Sequence, residues 1–155
     1  VTAALLNEQM RDNLDAVKNP PTALTNVNEA ANYSTTSTTF VDVDNVDLSL
    51  SITTGGGDVL IGLCTSVLSG NGFGVGFDVT MDGIRILGDD GLVQNNNGGD
   101  VEIISFAIMR RSVSAGLHTF RLQWRSQTGV AVTMYAGAGT ANLDAHPQFW
   151  VREVS

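Results

Sequence analysis

VDLSLSITTGGGDVLIGLCTSVL, residues Val46–Leu68, decides the fold class. In its first part Val46, Leu48, Leu50 and Ile52 alternate with Asp47, Ser49, Ser51 and Thr53. Successive side chains of a strand point to opposite faces, so a period of two predicts a half-buried strand. Gly55-Gly56-Gly57 then predicts a turn. Val59–Leu68 is almost wholly apolar, which predicts a strand covered on both faces. Cys64 falls inside that run and is expected to be a buried, inert thiol. It is the one cysteine of the chain, so no intrachain disulfide forms.

The same period continues outward from this stretch. In GNGFGVGFDVTMDGIRI (Gly70–Ile86), Phe73, Val75, Phe77 and Val79 share one face and Gly72, Gly74 and Gly76 the other. Asp82-Gly83 between two strand patterns predicts a hairpin. Residues 88–100 are rich in Gly, Asp and Asn and predict a loop. Val101–Met109 is a further apolar strand, and Ser114-Ala115-Gly116 a turn. In GLHTFRLQW, Phe120, Leu122 and Trp124 alternate with polar residues. Val130, Val132 and Met134 extend the pattern, and QFWVREV supplies a last strand. About eight strands with frequent turns and no intervening helix predict a β-sandwich or barrel. Eight antiparallel strands in two sheets fit a jelly roll.

Ahead of this region stands VTAALLNEQMRDNLDAVKNPP. Ala3, Leu6, Met10, Leu14 and Val17 recur at three- and four-residue spacings and make one helical stripe. Thr2 suits the N-cap. Asn19-Pro20-Pro21 ends the helix, since proline disfavours the α region in the residue before it. A lone helix of this length is marginal in water, so its stripe requires a partner. The expected organisation is a helix with its proline stop over 1–21, a linker or approach strand over 22–39, and the jelly roll over 40–155.

Of the 155 residues 43% are hydrophobic and only 15% charged, with a net charge of −8. The length suits one domain with a real core. An acidic surface repels phosphate backbones, which argues against a nucleic-acid partner. No apolar run reaches the length of a membrane span. The first residue is not Met and no signal peptide is evident, so a processed chain or an excised piece is expected. Asn32-Tyr33-Ser34 matches a glycosylation sequon, which matters only in a secretory context.

No stretch spells a known chemistry. The glycines at 70, 72, 74 and 76 lack the spacing of a dinucleotide loop. They predict a glycine face that another surface, such as a neighbouring subunit, approaches closely. Asp42 and Asp44 share a strand face and are weak calcium candidates. His118 and His146 are the only histidines and sit at no zinc-site spacing. A hydrolase would need a triad assembled around one of them from distant positions. Trp150 follows Phe149, so one of the two points outward, and Trp150 is the aromatic to test for sugar stacking. No cofactor is expected.

The opening helix resembles a segment of structural proteins of tailed bacteriophages, in which such a helix leads into a β-rich domain. The matching residues are Thr2, Ala3, Leu5, Leu6, Asn7, Arg11, Asp12, Asn13 and Leu14. The stretches TTFVDVDNVDLSLSITTGGGDVLI, FDVTMDGIRI, AGLHTFRLQWR and WVREV look like the β domains that follow it. The resemblance implies a non-enzymatic virion component: a tail fibre, head fibre or capsid decoration protein assembling as a homotrimer. Its partners would be its own copies, other virion proteins and a host-surface glycan. No catalytic residue carries over. Leu6, Met10, Leu14 and Val17, with Gly72, Gly74 and Gly76, are the candidate docking residues. The alternative is a lectin-like carbohydrate-binding module with Trp150 as its platform.

Overall fold

The computed structural model describes residues 2–69, 74–95, 99–139 and 144–154. Helix α1 spans Ala3–Lys18, as the stripe predicts. Thr2 is its N-cap, its hydroxyl accepting from the Leu5 N–H at 3.4 Å. The remaining elements are strands β1 (Thr22–Asn26), β2 (Tyr33–Thr35), β3 (Val41–Asp42), β4 (Ser49–Thr54), β5 (Gly57–Ser69) and β6 (Val75–Met81). They continue with β7 (Ile84–Arg85), β8 (Val93–Asn95), β9 (Val101–Val113), β10 (Gly116–Ser126), β11 (Val132–Met134) and β12 (Gln148–Glu153).

The strands form two antiparallel sheets. Sheet A runs β1-β12-β5, continues on one side to the edge strand β9, and carries the short β11 and β2 beside the far end of β5. Sheet B centres on β10, flanked by β3 and β4 on one side and by β6 with β7 and β8 on the other. With β7 and β8 taken as one broken strand, the long strands order as β1-β12-β5-β9 and β4-β10-β6-β7/β8. That is the connectivity of a jelly roll, two Greek keys folded into facing sheets. The fold is therefore mainly β, a sandwich preceded by one helix, as expected.

The core lies between the sheets. Ile52 and Leu50 of β4 lie opposite His118 and Phe120 of β10, Leu48 just before β4 lies beside Leu122, and Val79 and Phe77 of β6 lie opposite Leu122 and Trp124, with Val75 completing that wall. Opposite them stand Val59, Ile61, Leu63, Phe149 and Val151. Phe77 and Trp124 stack with centroids 6.3 Å apart.

Four local expectations are corrected. Val46 precedes β4 in a turn and is 75% exposed, because the side chain of Asp44 caps that turn through the N–H groups of Val46 and Asp47. Val130 is likewise exposed ahead of β11. β5 is covered fully on its inner face only, and Cys64 on the outer face is exposed rather than buried. The 22–39 segment contributes β1 and β2 to sheet A, with Thr22–Asn26 pairing along Arg152–Gln148. Phe73 and Gly72 lie outside the described residues.

Candidate functional site

Among the described residues, exposed apolar side chains form two groups of neighbours, while Val46, Ile84, Leu87 and Leu117 stand exposed elsewhere. The first is α1. Leu5, Leu6, Met10, Leu14 and Val17 are all more than half exposed. Each residue of α1 whose side chain is described is exposed, so the β domain of the same chain does not cover the stripe. At the foot of the helix a groove of about 460 Å³ is lined by Val17, Pro20, Pro21, Leu60, Arg152 and Val154.

The second place is the outer face of sheet A. The strand register aligns Leu24, Trp150, Gly62 and Ala107 in one row across four strands. The next row is Thr22, Arg152, Leu60 and Met109, and on the other side lie Asn26, Gln148, Cys64 and Ser105. Ser66 with Ile103 and Leu68 with Val101 continue along β5 and β9. Leu24, Val101, Ile103 and Met109 are exposed large hydrophobics, and Arg152 is the one charged residue in these rows. The indole of Trp150 lies directly over Gly62, where a Cβ would meet ring atoms at 2.1 Å. Phe149 is buried, so Trp150 is the outward member of the pair.

The outer face of sheet B has the opposite character. Arg85 Nε contacts the fully buried Asp78 carboxylate at 2.5 Å, Arg121 reaches Asp42 at 3.4 Å, and Arg125 reaches Asp90 at 3.2 Å. Phe40 sits between two guanidinium groups, 4.0 Å from Arg85 and 5.0 Å from Arg125. Of the glycine positions, Gly74 and Gly76 are described and fall here, while Gly70 and Gly72 lie outside the described residues. Gly76 faces Phe40 and the Arg125 side chain, so the surface close to it belongs to the same chain. Gly74 is buried and its carbonyl accepts from the Gln127 N–H at 2.9 Å.

The calcium candidates are not brought together. Asp42 accepts from Gln123 at 2.9 Å and pairs with Arg121, while Asp44 caps its own turn. The acids that do approach one another are Glu29, Asp44 and Asp47. The charge of Asp47 is the main cause raising the Glu29 pKa. Burial, followed by these same acids, raises that of Tyr33. Among the described residues no group of three metal-ligating side chains is placed to hold an ion.

His118, by contrast, is the centre of an arrangement that no local signal announces. Its Nδ1 lies 2.7 Å from Asp82 Oδ2, and its Nε2 lies 2.9 Å from the Ser114 carbonyl and 3.3 Å from Ser114 Oγ. These are the residue types of a hydrolase triad. The Asp82 carboxylate accepts the proton held on Nδ1, and Nε2 faces both the Ser114 carbonyl and the Ser114 hydroxyl, its role set by the tautomer. The hydrogen bond to Asp82, followed by that to Ser114, raises the His118 pKa. The Asp82 pKa is lowered by the Thr119 N–H and then by His118. The cluster is a tie between the β6–β7 and β9–β10 turns. His146 is also structural, its Nδ1 lying 3.0 Å from the Val27 carbonyl.

No family model matches the chain, and no curated protein matches it in sequence. Solved structures do resemble it. A chain of infectious bursal disease virus, Gx strain, superposes with a TM-score of 0.50 at 13% identity over 90% of this chain and 37% of that one. A chain of T=1 particles derived from infectious bursal virus gives the same TM-score of 0.50 at 12% identity, again over 90% and 37%. The likeness is one of fold, and this chain spans little more than a third of the length of those chains. A pentameric capsid protein isolated from metagenomic phage sequences is more distant, with a TM-score of 0.25 at 19% identity over 79% of this chain and 59% of that one.

Proposed function

We propose that this chain is a non-enzymatic structural component of a virion that assembles with its own copies and with other virion proteins. The observation that carries the reading is the amphipathic helix standing exposed on a jelly roll. A stripe of that size in water is unstable unless another surface covers it. The fold likeness to chains of a virus particle supports the reading.

Within that class, the resemblance of the opening helix favours a tailed-phage tail fibre, head fibre or capsid decoration protein. Such a protein would form a homotrimer through Leu6, Met10, Leu14 and Val17 and present the sandwich at the particle surface for host attachment. Light scattering tests the assembly: a mass of three chains is expected, and a strict monomer at micromolar concentration refutes it.

Trp150 favours a second reading, a sugar-binding platform, because its indole lies on the outer face of sheet A over a glycine. A glycan array with a Trp150→Ala control separates the two. Signal lost in the variant supports binding, and no signal above background removes it.

A further inference from the structure

Among the described residues, the helix stripe and the outer face of sheet A are two apolar surfaces of similar length left open. We infer that the α1 helix of one copy packs across the outer face of sheet A of a second copy. This deepens the assembly reading above and rests on it.

Size supports this occupant. The helix has 16 residues and is about 24 Å long at 1.5 Å per residue. β5 and β9 stay in register from Leu60–Met109 to Leu68–Val101, a run of about 27 Å at ~3.3 Å per residue. Half the side wall of a helix of that length and ~10–12 Å diameter is about 400 Å². Each copy donates one helix and receives one. In a pair that exchanges helices reciprocally each copy therefore buries about 800 Å² in one interface, what each partner contributes to a stable specific interface, whereas each contact of a ring buries about 800 Å² in total. A surface of one copy meeting a different surface of the next leaves neither surface over where the rotation closes into a pair or a ring.

Charge points the same way. The rows across β1, β12, β5 and β9 hold a single charged side chain, Arg152. Beside its stripe the helix carries the acids Glu8, Asp12 and Asp15 and the bases Arg11 and Lys18, with Arg11 paired to Glu8 and Asp12. Asp15 is the acid that a helix laid on this face offers to Arg152. The outer face of sheet B, laced with Arg–Asp pairs, offers no such apolar floor. The groove at the helix foot shares Leu60 and Arg152 with the receiving face, so the apolar surface is continuous up to the point where the chain's own helix departs.

The single cysteine provides the test, because Cys64 lies exposed in the middle of the receiving face. In the full chain, Met10→Cys places a second thiol at the centre of the stripe. Under mild oxidation with copper-phenanthroline the inference expects an intermolecular disulfide joining the segment around position 10 to the segment around Cys64. That link is absent from the Met10→Cys/Cys64→Ser double variant. Ala107→Glu, on an exposed position of the face, is expected to weaken association at least tenfold with melting unchanged. A link that persists without Cys64 means helix pairs with helix and overturns the inference. Assembly by light scattering with no link to Cys64 also overturns it, while leaving the assembly reading intact. A monomer at every concentration overturns both.

Discussion

Gly62→Ala tests the packing of Trp150 directly. A Cβ at position 62 would lie 2.1 Å from Cε2 and Cζ2 of the indole. Carbon atoms in contact sit about 3.5 Å apart, so the ring must lift by about 1.4 Å or swing away. Forcing an extra carbon into a filled site costs about 1–3 kcal/mol. Alanine in a strand recovers about 0.5–1 kcal/mol relative to glycine. The net loss is about 1 kcal/mol, which lowers the melting temperature of a domain this size by about 2–4 °C. Circular dichroism measures the melting, and tryptophan emission reports the cause. Trp124 is fully buried and unaffected, so a red shift comes from Trp150. The decisive comparison is a double-mutant cycle. In a Trp150→Ala background, Gly62→Ala should be neutral or stabilising by about 0.5–1 kcal/mol, since only the glycine effect remains. The same loss in both backgrounds would refute the reasoning.

Three further outcomes follow from the structure. The His118–Asp82 tie is fully formed between the ordinary carboxylate and imidazole pKa values, about 4 to 6.5. Its stability is lost as pH rises through the raised pKa of His118 or falls through the lowered pKa of Asp82. Melting followed across pH should therefore decline above neutrality in the parent protein, and His118→Gln should flatten that decline. Asp78→Asn breaks a pair whose carboxylate is fully buried, but Arg85 is 31% exposed and rehydrates in part. Urea unfolding should show a loss of about 2 kcal/mol, below the 3–5 kcal/mol of a fully buried pair. Leu6→Asp with Leu14→Asp should leave melting of the β domain unchanged, because both side chains are more than half exposed, yet weaken assembly in sedimentation.

Much of the fold was legible because strand periodicity is local. Leu48, Leu50 and Ile52, and again Phe120, Leu122 and Trp124, announce their inward faces without reference to any other part of the chain. The helix and its proline stop were legible for the same reason. Pairing was not. β1 finds β12 more than a hundred residues away, and nothing in a Thr- and Asn-rich 22–39 segment distinguishes a strand from a linker. An apolar run also reads the same whether its second face is covered or left open. That is why the run predicts a buried Cys64 and carries no sign that Ile103 and Met109 are exposed. The His118 tie joins residues from two turns, so no spacing could reveal it. Asp42 and Asp44 look paired in one dimension, but Arg121 and Gln123 claim the first and a turn claims the second.

The placement of β1 beside β12 sets a clock for the nascent chain. Residues 148–153 leave the ribosome about 120 residues after 22–26, which at roughly 5–20 residues per second is about 6–25 s. Until they arrive, sheet A lacks its inner neighbour for β1, and the row of Leu24, Trp150, Gly62 and Ala107 does not exist. The helix is made before β12, which completes the surface proposed to receive it. Joining of one copy's helix to sheet A of another, as proposed above, therefore waits for β12 of the receiving copy.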